Sequence, residues 1–286
     1  MIIDKLYERV QKRGHVTLGL DTDISYIPED FFNKYTSMEE ALVAFNKRII
    51  DATWDVVATY KVQIAYYEAL GLQGLSAYKR TLDYIREKDV ILIGDVKRGD
   101  IAKTAEMYAK AHFEGDFQCD FITLNPYMGL DTLEPFLPYF KNKNKGAFIL
   151  IRTSNPGAKD IQYIEDKEGR RVYEAVGAKV NVLNESLKGS CGYGPIGGVV
   201  GCTHREEGKK LRDELDNMFF LIPGYGAQGG KAEDVALYLR DGNGGVVNSS
   251  RKILLAYKDN PEGGKTFEEC AREEAIRMRD EILSRL

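Results

Sequence analysis

ILIGDVKRGDIAKT, residues 91–104, passes within a few positions from an apolar run, Ile91-Leu92-Ile93, to a dense row of charge: Asp95, Lys97, Arg98, Asp100 and Lys103. A buried strand that ends in alternating carboxylate and ammonium groups is costly to keep unless those charges meet partners or a ligand. Asp95 and Lys97 are two positions apart, so a regular strand projects both from one face. That face is the first candidate for an active site.

The same pattern repeats outward from it. Upstream lie VTLGLD (16–21) and VVATYKVQ (56–63), and the opening stretch itself belongs to VILIGDVK (90–97). Downstream come FITLNP (121–126), AFILIRTS (147–154), GGVVGCTH (197–204), FFLIPGYG (219–226) and GVVNSSR (245–251). Helical periodicity fills the gaps, around 38–51, 75–88, 101–114, 130–140, 206–215, 231–240 and 266–285. Most of the eight runs are continuously apolar, as strands buried on both faces are. Alternating βα units imply parallel strands, and eight of them imply a closed (β/α)₈ TIM barrel, here a single domain over 1–286. Polar residues and glycines gather at the C-terminal strand ends, where such barrels place ligands. A doubly wound open sheet is the competing architecture; it needs fewer strands and a reversal of strand order, which a sequence does not display.

One segment breaks the rhythm. Residues 152–196 are too long for a simple connection, so the barrel is expected to carry an enlarged loop after strand five. Within it YIEDKEGRRVYE (163–174) reads as a small hairpin turning at Lys167-Glu168-Gly169. VYEAVGAKVNVLNESL (172–187) reads as a helix and SCGYGPIGG (190–198) as a glycine-rich return.

Composition narrows the class. Hydrophobic residues make up 43 %, enough for a sizeable core, and the formal net charge is -4. That balance argues against a nucleic-acid surface, which is normally basic, while leaving room for a local basic pocket. Cys119, Cys191, Cys202 and Cys270 show no metal spacing and fit a reducing cytoplasm, with a Cys191–Cys202 bridge still open. The opening MIIDKLYERVQKRG is an amphipathic helix with charges throughout, not a secretion signal. No apolar run approaches the roughly 20 residues that span a bilayer, so no membrane partner is expected.

Several strand ends carry candidate chemistry. Asp21 ends the first strand, where it is either a turn residue or a ligand-facing carboxylate. Lys61 lies in the otherwise apolar VVATYKVQ; a buried ammonium calls for a structural ion pair or a functional one. With Asp95, Lys97 and Asp100 it completes two cations and two anions. An alternating array keeps both lysines protonated, which suits a proton donor rather than a Schiff-base nucleophile. PGYGAQGG (223–230), containing Gln228, is either a flexible turn or an anion cradle ahead of a helix. Arg251 offers a planar fork suited to phosphate, and phosphate sites after strands seven and eight recur in these barrels. Ser154 and Asn155, in RTSNPGA, supply polar groups at the fifth strand end, or merely cap the turn before Pro156. His15, His112 and His204 form no ligand pair, so no metal is expected. GYGAQG matches a dinucleotide fingerprint, but too late in the chain and without its acidic partner, so no nicotinamide cofactor is expected either.

In this order, LGLDTD, TYKVQ, DVKRGDIAKT, RTSNPGA, PGYGAQGG and VNSSR resemble the orotidine 5′-phosphate decarboxylase family, in its longer bacterial type, nearly end to end. The resemblance implies a cofactor-free, metal-free decarboxylation of orotidine 5′-phosphate to UMP by a homodimer with shared active sites. It makes Lys97 the proton donor to C6, with Lys61, Asp95 and a neighbouring subunit's Asp100 completing the charged array. Ile101 and Thr104 would cross over with Asp100. Asp21 and Lys61 would meet the ribose hydroxyls, Ser154 the pyrimidine, and Gln228 and Arg251 the phosphate. The chain departs from the family pattern in the 155–196 insertion and in NSSR, where shorter members carry a glycine–arginine pair. Two other classes compete: a metal-dependent sugar-phosphate aldolase or decarboxylase on the same barrel, and a non-catalytic nucleotide-binding barrel.

Overall fold

A computed structural model describes residues 1–226, 229–260 and 264–286. Eight parallel strands close in sequence order: β1 (Val16–Gly19), β2 (Thr59–Gln63), β3 (Ile91–Arg98), β4 (Phe121–Leu124), β5 (Gly146–Arg152), β6 (Ile196–Val200), β7 (Phe220–Ile222) and β8 (Gly245–Ser249). β8 pairs back onto β1, so no strand edge is left open and the doubly wound alternative falls. Each strand overlaps its expected run; β3 extends one residue past it to Arg98, β5 and β6 begin one residue before theirs, and the others are shorter. β2 starts at Thr59 rather than Val56, and β4 stops at Leu124 because Pro126 follows.

The period of two sorts each strand between two cores. On β3, Leu92 and Val96 face outward into the large cluster shared with the surrounding helices, whereas Ile91 and Ile93 face inward. The barrel interior is filled by Phe121, Phe148, Phe219 and Leu221, with Phe121 and Phe148 ring centroids 5.2 Å apart. These rings need space on neighbouring strands. A Cβ on Gly197 would stand 2.5 Å from the Phe148 ring, so glycine there is a packing requirement.

The first helix, Ile2–Arg13, closes the N-terminal mouth. Its buried stripe, Ile2, Ile3, Leu6 and Val10, belongs to the same cluster as the interior phenylalanines. Arg9 Nε fastens it by donating to the Ala58 carbonyl at 2.8 Å. The other long helices, Met38–Thr53, Gly71–Glu87, Ala102–Phe113, Val172–Asn184, Arg205–Glu214 and Phe267–Leu283, cover the outer face. The stretch 130–140, expected as one helix, is a 3₁₀ run, Leu130–Phe136, that becomes α-helical only at Leu137–Asn142; Pro135 lies within the 3₁₀ run and removes an amide donor.

The enlarged loop has its expected parts. An isolated antiparallel bridge joins Glu165 and Arg171 across a turn in which Gly169 has φ +75°. The helix Val172–Asn184 then returns toward β6. Arg152, 1 % exposed, anchors the loop base: its Nε donates to Glu207 Oε2 at 2.6 Å and its Nη2 to the Tyr163 hydroxyl at 3.1 Å.

Candidate active site

The inward-facing positions that fill the core lead, toward the C-terminal ends of β1, β2 and β3, to the charged residues. After Ile91 and Ile93 come Asp95 and Lys97; after Thr17 and Gly19 comes Asp21; after Thr59 comes Lys61. They meet in one row. Lys61 Nζ donates to Asp21 Oδ1 at 3.0 Å and to Asp95 Oδ2 at 2.9 Å, and Lys97 Nζ donates to Asp95 Oδ1 at 2.6 Å. Lys61 and Asp95 are 5 % and 7 % exposed, whereas the Lys97 side chain is 48 % exposed and forms the open end of the row.

Burial alone would push the Asp95 carboxyl up, but the Lys61 and Lys97 ammoniums outweigh it and hold Asp95 well below the carboxylate range. Burial likewise opposes charge on Lys61, and Asp21 and Asp95 overcome it, raising that ammonium above its ordinary value. Asp95 and Lys61 are therefore each held charged by their neighbours.

The reason that Asp95 and Lys97 share a face differs from the expected one. β3 is not regular there. Pairing with β4 runs Gly94↔Ile122 and then jumps to Arg98↔Leu124, and Lys97 takes φ +43°. Opposite this bulge Thr123 alone serves three groups. Its Oγ1 accepts the Val96 and Lys97 amides, each at 2.9 Å, and donates to Asp95 Oδ1 at 2.9 Å. A bulge that re-aims a side chain beside a site is a familiar device of sheets. Thr123 was not among the sequence candidates. The available signal was its parity: it lies two positions beyond the inward Phe121 and opposite the charged stretch.

This row forms one side of a cavity of about 1150 Å³ at the C-terminal mouth. Ser154 and Arg251 line the same cavity, as do Pro223, Gly224 and Tyr225 from the glycine-rich loop. Gln228 lies outside the described residues. Leu150, Val199 and Leu221 continue the interior core up to the cavity wall, so the charged row faces apolar carbon. The enlarged loop contributes Ile161, Gln162 and Tyr173.

Asp100, Ile101 and Thr104 are not brought to this cavity. They lie at the start of the helix Ala102–Phe113, outside the cavity lining; Asp100 Oδ1 accepts from the Ile101 amide at 2.8 Å. Ile101 is 55 % exposed, and Met107 on the same helix is exposed as well. His204 is outside the lining too, and the four cysteines are free thiols, so the Cys191–Cys202 bridge does not form.

Closed parallel barrel, charged row and large C-terminal cavity together define a (β/α)₈-barrel enzyme whose lysines and aspartates line an open cavity. Comparison makes the class specific: residues 16–265 match the model of the orotidine 5′-phosphate decarboxylase / HUMPS family, and the chain belongs to that family. It is 66 % identical over 282 residues to orotidine 5′-phosphate decarboxylase of Clostridium acetobutylicum, covering 99 % of each chain. It is 65 % identical to the protein of that name from Clostridium tetani, covering 99 % of this chain and 98 % of the other. Among solved structures it superposes on a crystal structure named putative orotidine 5′-phosphate decarboxylase from Streptomyces avermitilis, with a TM-score of 0.85 at 27 % identity, covering 99 % and 95 % of the two chains. For the Leishmania donovani OMP decarboxylase the TM-score is 0.78 at 29 % identity, covering 99 % and 97 %.

Proposed function

We propose that this protein decarboxylates orotidine 5′-phosphate to UMP and CO₂, the step that completes UMP synthesis, with Lys97 protonating C6. The observation that carries the reading is the unbroken row Asp21–Lys61–Asp95–Lys97, which ends in a lysine open to the cavity. Loss of CO₂ leaves an electron pair on an sp² ring carbon with no attached electron sink. An ammonium fixed beside that carbon stabilises the developing charge without reorganisation and then supplies the proton. Asp95 holds Lys97 in place, and Thr123 holds Asp95. The apolar wall of Leu150, Val199 and Leu221 keeps water from competing for the carbanion. Arg251 and the glycine-rich loop would grip the phosphate, and that remote binding energy would serve closure over the reacting ring. Ser154 would meet the pyrimidine, Asp21 and Lys61 the ribose hydroxyls.

Asp100, Ile101 and Thr104 belong in this reading to a second copy's site. Their absence from the lining of their own cavity and the exposure of the apolar Ile101 support a homodimer with shared sites. The reading treats residues 1–286 as one domain, since the first and last helices both pack on the barrel. No helix among the described residues is long and apolar enough to cross a membrane, and the free thiols support a cytoplasmic setting.

The metal-dependent barrel reading makes different use of the same carboxylates. Here both Asp95 oxygens already accept from lysines, so a divalent ion would have to displace an ammonium. The deciding experiment is an absorbance assay of orotidine 5′-phosphate with and without exhaustive chelation. Equal turnover is expected in both. Activity lost to chelation and restored by Mg²⁺ would favour the aldolase-type reading, and tight UMP binding without turnover a non-catalytic barrel.

A further inference from the structure

The end of β8 reads Asn248-Ser249-Ser250-Arg251, and the geometry gives its second serine a use. β8 pairs with β1 in the register Leu18↔Ser249, which sets Ser250 beside Gly19. A Cβ on Gly19 would stand 1.9 Å from Ser250 Oγ, so the serine hydroxyl occupies the volume that any side chain at position 19 would fill. From there Ser250 Oγ donates to Asp21 Oδ2 at 2.8 Å. The other Asp21 oxygen, Oδ1, accepts from Lys61 Nζ at 3.0 Å. Asn248 Nδ2 lies 3.5 Å from Ser250 Oγ and fills its acceptor side, leaving the hydroxyl hydrogen for Asp21. The carboxylate is thus held from two strands, one oxygen by β2 and the other by the end of β8.

We propose that Ser250 is the positioning residue for Asp21 and thereby sets how strongly the site prefers a full ribose over a deoxyribose. The inference rests on the proposed reading that Asp21 meets the ribose hydroxyls. A carboxylate tied at one oxygen still rotates about its Cβ–Cγ bond; tied at both, it presents its remaining lone pairs in one fixed direction. A ligand hydroxyl gains full strength from a charged acceptor only when that acceptor is already aimed. Ser250 needs no contact with the ligand to do this. Gly19 belongs to the same device, because only glycine leaves room for the hydroxyl.

The test measures binding of UMP, 2′-deoxy-UMP and 3′-deoxy-UMP to the wild-type enzyme and to Ser250→Ala and Ser250→Thr. The wild-type enzyme is expected to favour UMP over at least one deoxy ligand. In Ser250→Ala that preference falls about tenfold, the scale of one hydrogen bond to a charged group, while affinity for that deoxy ligand stays as in wild type. Ser250→Thr, which keeps the hydroxyl, restores the preference. The proposal is overturned if Ser250→Ala keeps the wild-type preference, or if it loses affinity for all three ligands in parallel, as general loosening of the strand end would produce. A wild-type enzyme that turns over orotidine 5′-phosphate yet shows no preference for UMP removes the ribose reading of Asp21, and this inference with it. Absence of turnover by the wild-type enzyme would instead overturn the proposed function itself.

Discussion

The two mouths of this barrel are built from the same eight strands and use opposite chemistry. At the N-terminal mouth the inward residues meet Ile2, Ile3, Leu6 and Val10 of the first helix, and the opening is plugged with carbon. At the C-terminal mouth the inward-facing positions lead to Asp21, Lys61, Asp95 and Lys97 around a cavity of about 1150 Å³. Burying charge costs free energy that a plug of leucine and isoleucine does not, so the C-terminal mouth is held against its own preference by mutual pairing. The contrast separates what folds the chain from what it does: one end can be altered in stability alone, the other in turnover alone.

The sharpest way to break that contrast is Lys97→Ala. The side chain is largely open and its carboxylate partner keeps Lys61, so the fold is expected to survive with an unchanged melting temperature. Turnover should fall by about 10⁴-fold or more, combining electrostatic stabilisation of roughly 10²-fold with proton donation of similar size. Single-turnover kinetics with orotidine 5′-phosphate measure it. A variant with near-normal kcat would remove Lys97 from the chemistry and leave the charged row a structural feature.

Leu6→Ala makes the opposite prediction. Leu6 is fully buried among the interior residues, and truncation there is expected to cost about 3 kcal/mol in a denaturant melt, within the range for leucine truncations. At temperatures where the variant is folded, kcat should stay within about twofold of wild type, since the plug touches no residue of the charged row; that tolerance is a rough bound for a change outside the reacting groups. A large kcat loss in stably folded Leu6→Ala would show that the two ends are coupled through the interior phenylalanines.

The sequence made one end far more legible than the other. Eight apolar runs interrupted by helices were enough for the barrel, because a strand buried on both faces has a simple signature. Lys61, Asp95 and Lys97 stood out because charge at the end of such a run demands an explanation. Thr123 did not, since a threonine in FITL looks like any β-branched strand residue; its value lies in the bulge opposite it, and bulges leave no mark in composition. Ser250 was hidden similarly. Its role depends on Gly19, more than 200 positions away, through a strand register that only closure of the barrel creates. The plug was half visible: the first helix reads as amphipathic, but nothing in its pattern says that the apolar face meets the barrel mouth rather than an outer helix.

A smaller effect distinguishes the two ends by pH. His15, 1 % exposed near the N-terminal mouth, is held with Nε2 3.0 Å from the Gly242 carbonyl, and burial pulls its pKa down from 6.5 to about 4 despite that bond. The folded protein therefore keeps the ring neutral where the unfolded chain would protonate it. Its contribution to stability is complete above the unfolded value and is lost as pH falls through the window from 6.5 to about 4. By pH 5 the loss should reach about 2 kcal/mol, from a shift of this size and the usual 1.36 kcal/mol per unit. His112, lowered to about 4 by burial with Arg98 adding to it, contributes in the same direction behind the charged stretch. Asp95 responds elsewhere: its depressed pKa gives stability that is present above 3.8 and lost only below it, so Asp95 is silent between pH 7 and 5. Urea melts at pH 7 and pH 5 should show His15→Gln losing about 2 kcal/mol less on acidification than wild type, with the His112 share remaining. An unchanged pH dependence in His15→Gln would mean that the N-terminal mouth opens to water enough to hydrate a charged imidazole, and the picture of a dry plug opposite a wet site would have to be given up.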